Sequence, residues 1–159
     1  FAELRLTAPQ GAVTTPPGTV VSRAPLARLR ALGWPLPGRL LGNLTLLEAR
    51  ENSTAAGPAV DLDYSDGLSE VSIIVQRGHL SPDLGGWSET TLGGQRVYTD
   101  VSQDRSVAWS ADGFVYLVIA AAPQQIVGQV VAALPHEAGP GLLSRIGRGL
   151  GRLLSLLGM

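Results

Sequence analysis

The chain has 159 residues, a formal net charge of −1 and no cysteine. Hydrophobic residues make up 45% of it and charged residues 16%, which fits a folded core and excludes an intrinsically disordered chain. Without cysteine there is no disulfide framework and no thiol chemistry. No apolar run reaches the roughly 18 residues that a membrane-spanning helix needs. The chain begins at Phe1 rather than Met, so we expect it to be a fragment or a processed product.

The charges are unevenly distributed along the chain, and every cation is an arginine. Residues 48–112 hold eleven acids against four arginines, whereas residues 1–47 hold five arginines against one acid. Residues 113–159 hold three arginines against one acid. The central strands therefore carry an acidic surface, which is either a solvated face or a surface for a basic partner. The basic ends lack interleaved aromatic residues, which argues against nucleic-acid binding.

The N-terminal 20 residues divide into two segments. Residues 1–8 alternate between apolar and polar side chains and predict a short strand, either the N-terminal strand of this domain or the terminal strand of an upstream one. Residues 9–20 are rich in proline and small polar residues and predict a linker. We therefore expect the main domain at residues 21–135 and a tail at residues 136–159.

Two helices are predicted in the main domain. The first covers residues 23–32 and ends at Gly33, with an apolar face made by Leu26, Leu29 and Leu32. Trp34, in the segment that follows, is expected to be a packing anchor. The second helix begins at Pro123 and ends before Pro135. Its apolar side consists of Ile126, Val127, Val130 and Val131.

The strands between the helices are organised as hairpins. The turn signals are Asp66-Gly67, Gly93-Gly94 and Asp112-Gly113, all of which favour two-residue loops. Together with a strand at residues 44–50, these hairpins predict an α+β fold. It consists of an antiparallel sheet of about six strands, covered by one or two helices, with an amphipathic helix at the C-terminus.

The first hairpin separates apolar from acidic side chains. One predicted face carries Leu62, Tyr64, Val71, Ile73 and Val75. The other face carries Asp61, Asp63 and Glu70, and a two-residue loop places Asp63 opposite Glu70. Like charges in that arrangement repel each other, so we expect a bulge, a nearby arginine or a bound partner to relieve them. Asp61, Asp63 and Glu70 are therefore the candidate partner-binding residues.

The third hairpin predicts the centre of the sheet. With Asp112-Gly113 as its loop, Trp109 lies opposite Tyr116. Its second strand is apolar on both faces, because Val115, Leu117 and Ile119 alternate with the core residues. We therefore expect this strand to be central and buried on both sides.

The tail has the spacing of an amphipathic helix. Its apolar stripe consists of Leu142, Leu143, Ile146, Leu150, Leu153, Leu154 and Leu157, and its basic side of Arg145, Arg148 and Arg152. Three glycines within it weaken the helix in isolation, so we expect it to need a surface. Its own domain, a groove on another subunit or protein, and a membrane surface all remain open.

The sequence carries no recognisable catalytic or metal-binding motif. The two histidines, His79 and His136, are far apart in the chain, and there is no cysteine to complete a transition-metal site. A nucleophile elbow, a P-loop and a dinucleotide fingerprint are all missing from the sequence. We therefore expect a non-enzymatic protein without a cofactor.

Several short motifs resemble, in their order, the C-terminal domain of the MucB/RseB family of sigma-E factor regulatory proteins. Tyr64–Leu68 reads YSDGL and is followed by the strand SEVSIIV. The helix leading into Gly33-Trp34-Pro35 is similar to the entry of actinobacterial members. The segment from Trp109 to Tyr116, the following helix and the Arg/Gly/Leu tail are similar to their ending. The resemblance covers roughly residues 20–159.

The resemblance implies an exported protein that lies in the periplasm or cell envelope. It implies that residues 1–8 are the last strand of an upstream LolA-like domain. It also implies binding to the extracytoplasmic segment of a membrane-anchored anti-sigma factor, which regulates envelope-stress signalling. The alternative is a lipid or lipoprotein carrier component of the cell envelope. A homo-oligomer or membrane contact through the tail helix is also compatible with the sequence.

Overall fold

A computed structural model describes residues 3–4, 19–20, 23–41, 43–81, 84–100 and 106–136. The tail helix predicted within residues 136–159, with its Leu142 to Leu157 stripe and its three arginines, lies outside the described residues. Most of the predicted linker at residues 9–20 also lies outside them, although its last two residues form a short strand.

The described residues form eleven strands and two helices. In chain order these are β1 Glu3–Leu4, β2 Thr19–Val20, α1 Arg23–Ala31, β3 Arg39–Leu40, β4 Leu44–Thr54, β5 Gly57–Ser65, β6 Glu70–Arg77, β7 His79–Leu80, β8 Trp87–Leu92, β9 Gln95–Asp100, β10 Ser106–Ala111, β11 Phe114–Ala121 and α2 Gln124–Ala133.

The predicted α+β fold with an antiparallel sheet is confirmed, but the strand count of about six is wrong. Within the described residues, eight strands follow one another in the order β2-β4-β5-β6-β11-β10-β9-β8, and β3 pairs with β4 beside this path. The sheet curls into a half-barrel. β2 has two residues, too few for alternation to be recognised. β1 and β7 form a separate parallel pair.

The first hairpin has a different loop from the one predicted. Ser65 pairs with Glu70, so the loop has the four residues Asp66 to Ser69 rather than two. The Asp66 carboxylate accepts hydrogen bonds from the backbone N–H groups of Leu68 (3.0 Å) and Ser69 (2.8 Å), which closes this wider turn. The predicted opposition of Asp63 and Glu70 is therefore wrong.

Despite this error, the predicted assignment of side chains to the two faces of the sheet is correct. The true pairing differs from the predicted one by two residues, and strand side chains alternate with a period of two. All five residues predicted for the core are at most 1% exposed, namely Leu62, Tyr64, Val71, Ile73 and Val75. Leu68 lies in the four-residue loop, where it is 96% exposed.

The third hairpin has the predicted register. Trp109 pairs with Tyr116, and their rings stack with centroids 5.0 Å apart. Asp112 and Gly113 both have positive φ (52° and 78°), as a two-residue turn of this kind requires. β11 lies between β6 and β10, so the prediction of a central strand is confirmed.

Both helices cover the same face of the sheet, here called the helix face. Val127, Val130 and Val131 of α2 are buried in the core. The segment after α1 brings Trp34 against Phe114, with ring centroids 5.3 Å apart, so its predicted role as a packing anchor is confirmed. Leu32 was expected on the buried side of the first helix, but α1 ends at Ala31 and Leu32 is 59% exposed.

The tip of the β8–β9 hairpin touches α2 through glycine. Gly93 has φ +57°, and a Cβ atom built on it would lie 2.2 Å from the backbone oxygen of Gly128. Gly94 has φ +79°, and nothing lies within 4 Å of a Cβ built there. The two positions share the left-handed backbone but differ in the space around them.

We therefore expect Gly93→Ala to destabilise the fold by about 3 kcal/mol or more, because it adds a backbone clash to the strain of about 1–2 kcal/mol. Gly94→Ala is the matched control, and it should lose only the stability that the backbone strain costs. Urea unfolding of both variants measures the difference. Equal losses of stability would contradict the close contact between the hairpin and α2.

Candidate functional site

The second face of the sheet, opposite the helix face, is where the candidate residues lie. Strand pairing arranges its side chains in two neighbouring rows across the sheet. The first row runs Arg50, Asp61, Ile74, Leu117 and Ala108. The second row runs Glu48, Asp63, Ser72, Ile119 and Ser106. The β4–β5 end of both rows is charged, and the β6–β11 part is mainly apolar.

The charged end brings three acids and one arginine together. Asp61 lies opposite Arg50, and Asp63 lies opposite Glu48. The Arg50 guanidinium donates to Glu48 over 2.6 Å, and these two side chains are about one-third exposed. The Ser72 hydroxyl donates to Asp63 over 2.5 Å. Arg50 therefore neutralises one acid of the three, and the cluster keeps a negative charge.

Asp61 is the least accessible member of this cluster. It is 5% exposed, and its Oδ1 has no hydrogen-bond partner among the described residues. Its pKa is raised to about 6, first by burial and then by the neighbouring Asp63 charge, while Arg50 and the backbone N–H of Leu62 oppose the shift. A carboxylate loses water on burial and regains stability only from a cation or hydrogen-bond donors. The ionised form of Asp61 is therefore destabilised in the folded protein.

The apolar part of the second face is only half-buried. Ile74, Leu117 and Ile119 are all of intermediate exposure, although β11 is the central strand. The prediction that β11 is fully buried on both sides thus holds for Val115, which is 1% exposed, but not for Leu117 and Ile119. The difference arises because β7 packs near β10 and β11, where the Leu80 N–H donates to the Ser110 hydroxyl.

The three predicted site residues do not all lie together. Asp61 and Asp63 are adjacent on the second face of β5, as expected. Glu70 is on the same face but at the exposed start of β6, opposite Ser65. Sequence reasoning missed Glu48 and Arg50 because their strand, β4, was not aligned with β5. The signal was present, since Glu48 and Arg50 alternate on a predicted strand.

β4 also contains the irregularity that positions these two residues. Its pairing with β5 shifts between Leu46 and Glu48, so that Leu47 bulges out and is 69% exposed. A bulge adds one residue to one strand and changes which face the following side chains occupy. A bulge and an arginine thus both lie on β4. The repulsion between Asp63 and Glu70 that a bulge, an arginine or a partner was expected to relieve does not arise, because these two acids are not paired.

A depression lies on the helix-face side of the molecule, between α2 and the β8–β9 hairpin. It is a shallow, open groove of about 400 Å³ lined by Leu92, Gly93, Gln124, Gln125, Gly128, Gln129 and Ala132. No titratable side chain lines it. It therefore offers contact area but no ionisable group.

The described part of the chain has neither a cluster of metal ligands nor a membrane-spanning helix. There, no group of three or more His, Cys, Asp or Glu side chains could hold a metal ion. None of the described helices combines the length and apolar character needed to cross a membrane. Comparison with protein-family models, curated proteins and solved structures finds no match to this chain.

The buried charge of Asp61 predicts a stability that depends on pH. Its folded pKa is about 6, above the usual value near 3.9, so ionisation destabilises the fold at neutral pH and protonation removes the penalty as the pH falls. We expect Asp61→Asn to be more stable than the wild type by about 2–3 kcal/mol at pH 7.5 and by about 1 kcal/mol or less at pH 4.5.

Urea unfolding at the two pH values measures this difference. Glu51→Gln is the matched control, because Glu51 is an exposed acid on β4 that pairs with Val60 and projects from the other face. It should change stability by no more than about 0.5 kcal/mol at either pH. An Asp61→Asn variant with the same stability as the wild type at pH 7.5 would contradict the buried charge.

Proposed function

We propose that this chain is a non-enzymatic protein-binding domain whose second face binds the partner. The observation that carries the proposal is the pairing, on one face, of a net-negative cluster with half-buried Ile74, Leu117 and Ile119. Protein interfaces combine apolar contact area with polar groups that fix orientation. The helix face is already occupied by α1 and α2, so the second face is the larger surface left for a partner.

The partner we propose is the extracytoplasmic segment of a membrane-anchored anti-sigma factor. The order of the Gly33-Trp34-Pro35, YSDGL and Trp109–Tyr116 motifs, which resembles the MucB/RseB family, supports this choice. The domain would then act outside the cytoplasmic membrane and regulate envelope-stress signalling by shielding the anti-sigma factor. The chemistry of the face adds one requirement, which is that the bound segment carries positive charge.

A lipid or lipoprotein carrier is the alternative function, and it is supported only by the Leu and Arg spacing of residues 142–157. The groove at α2 does not strengthen it. That groove is open and is lined by Gln124, Gln125 and Gln129 beside its apolar residues, whereas acyl chains favour enclosed apolar cavities. We therefore favour the protein-binding function.

Binding of the extracytoplasmic segment of an anti-sigma factor can be measured by calorimetric titration. We expect Ile119→Glu to weaken it at least ten-fold, because the substitution places a charge within the apolar part of the second face. Leu68→Glu is the matched control, since Leu68 is 96% exposed in the β5–β6 loop. It should change the affinity by less than two-fold.

Two results would contradict the proposed function. One is a lack of measurable binding by this chain. The other is an equal loss of affinity in Ile119→Glu and Leu68→Glu, which would mean that the second face has no special part in binding. Circular dichroism of both variants checks that the sheet is intact.

A further inference from the structure

The three acids of the cluster around Asp61 share one cation, Arg50. Glu48 has the Arg50 guanidinium, and Asp63 has the Ser72 hydroxyl. Asp61 is 5% exposed, yet its Oδ1 has no hydrogen-bond partner among the described residues. Acids buried to this degree are nearly always paired. Arg50 and the Leu62 backbone N–H stabilise the ionised carboxylate in part, but its Oδ1 remains an acceptor for which the described residues supply no donor.

The spacing of the acids favours an extended cation over a metal ion. Asp61 and Asp63 are two residues apart on one strand, so their backbone positions are separated by roughly 7 Å. A calcium ion needs six to eight oxygens at 2.3–2.6 Å, and the described residues contain no group of acids close enough to hold a metal. A guanidinium carries five donors in a planar fork and can bridge separate carboxylates.

The surroundings favour arginine over lysine for a second reason. Ile74 lies next to Asp61 on the adjoining strand, and Leu117 follows it in the same row. A guanidinium is more weakly hydrated than an ammonium group and packs against flat apolar surface with less loss of solvation. An arginine that approaches along this row would contact apolar side chains before its head reaches the acids.

We propose that Asp61 and Asp63, with Glu48 at the rim, form a binding subsite for an arginine side chain of the partner. A neighbouring apolar side chain of the partner then lies on Ile74, Leu117 and Ile119. The inference rests on the proposed function, because it specifies the chemistry of the segment that the second face binds. It does not depend on that segment belonging to an anti-sigma factor.

Arg50 is the internal competitor for this subsite. It lies directly opposite Asp61, but its guanidinium is paired with Glu48 in a partly exposed contact. Partly exposed pairs of this kind contribute at most about 1 kcal/mol, so a second guanidinium can enter without a large cost. With the ligand bound, two arginines would face three acids, which leaves the charges closer to balance than one arginine does.

The subsite can be tested with N-acetyl-arginine amide as the probe, followed by NMR. The signals to follow are the Asp61 carboxyl carbon and the backbone amides of Leu62 and Asp63. We expect shifts that saturate in the millimolar range, and at least five-fold weaker binding in Asp61→Asn. That variant removes the charge while keeping the shape and stays folded by the stability argument above. Glu51→Gln, on the other face of β4, should bind as the wild type does.

Three results with the arginine probe and its citrulline control would overturn the subsite. They are the absence of saturating shifts, equal shifts with N-acetyl-citrulline amide, and undiminished binding by Asp61→Asn. Citrulline is the control because it keeps the shape of arginine without the charge. The same shifts with magnesium or calcium chloride at equal concentration would also overturn it, because they would mean that any cation suffices.

The test separates the subsite from the proposed function. If the arginine probe does not bind while the anti-sigma segment does, and Ile119→Glu weakens it, only the subsite fails. If the probe binds and the anti-sigma segment does not, the subsite stands and the proposed partner is wrong.

Discussion

The strict alternation of side chains along β5, β6 and β11 is the constraint on which the rest of the fold depends. On one face, Leu62, Ile73 and Val118 lie in register across three strands and are fully buried beneath the helices. Because alternation has a period of two, their neighbours must project from the other face. The second face is therefore the direct consequence of how the core is packed, and its acids cannot move to the helix side.

The core explains why a buried acid can persist in this position. At roughly 25 cal/mol per Å² of apolar surface, burying large side chains contributes far more than one unpaired carboxylate costs. A register slip of one residue in β5 would turn Asp61 towards the helix face and would turn Leu62 and Tyr64 away from it. The packing of the helix face thus keeps Asp61 on the second face, although its Oδ1 has no partner there among the described residues.

The sequence predicts the faces of this sheet better than its pairings. The turn signal Asp66-Gly67 indicated a two-residue loop, but Asp66 instead caps a four-residue loop through its own carboxylate. The predicted pairing was wrong by two residues, and because side chains alternate with a period of two, the faces were predicted correctly. At Asp112-Gly113 no such competing side-chain contact is observed, and both register and stacking were predictable. Local turn chemistry thus decides register, while alternation decides burial.

The site was predictable only where its residues are close in sequence. Asp61 and Asp63 follow from alternation within one hairpin, whereas Glu48 and Arg50 join them through β4 and a bulge at Leu47. No turn residue in the sequence indicates how long β4 is or where its bulge lies. The half-burial of Leu117 and Ile119 was also missed, because it depends on how far β7 covers the second face.

The central property of the candidate site is that the Asp61 carboxylate is buried without a full set of hydrogen-bond partners. The most direct measurement is the titration of its carboxyl carbon by NMR between pH 3 and pH 8. A midpoint near pH 6 is the expected result. A midpoint near pH 4 or below, where solvated or well-paired acids titrate, would contradict it.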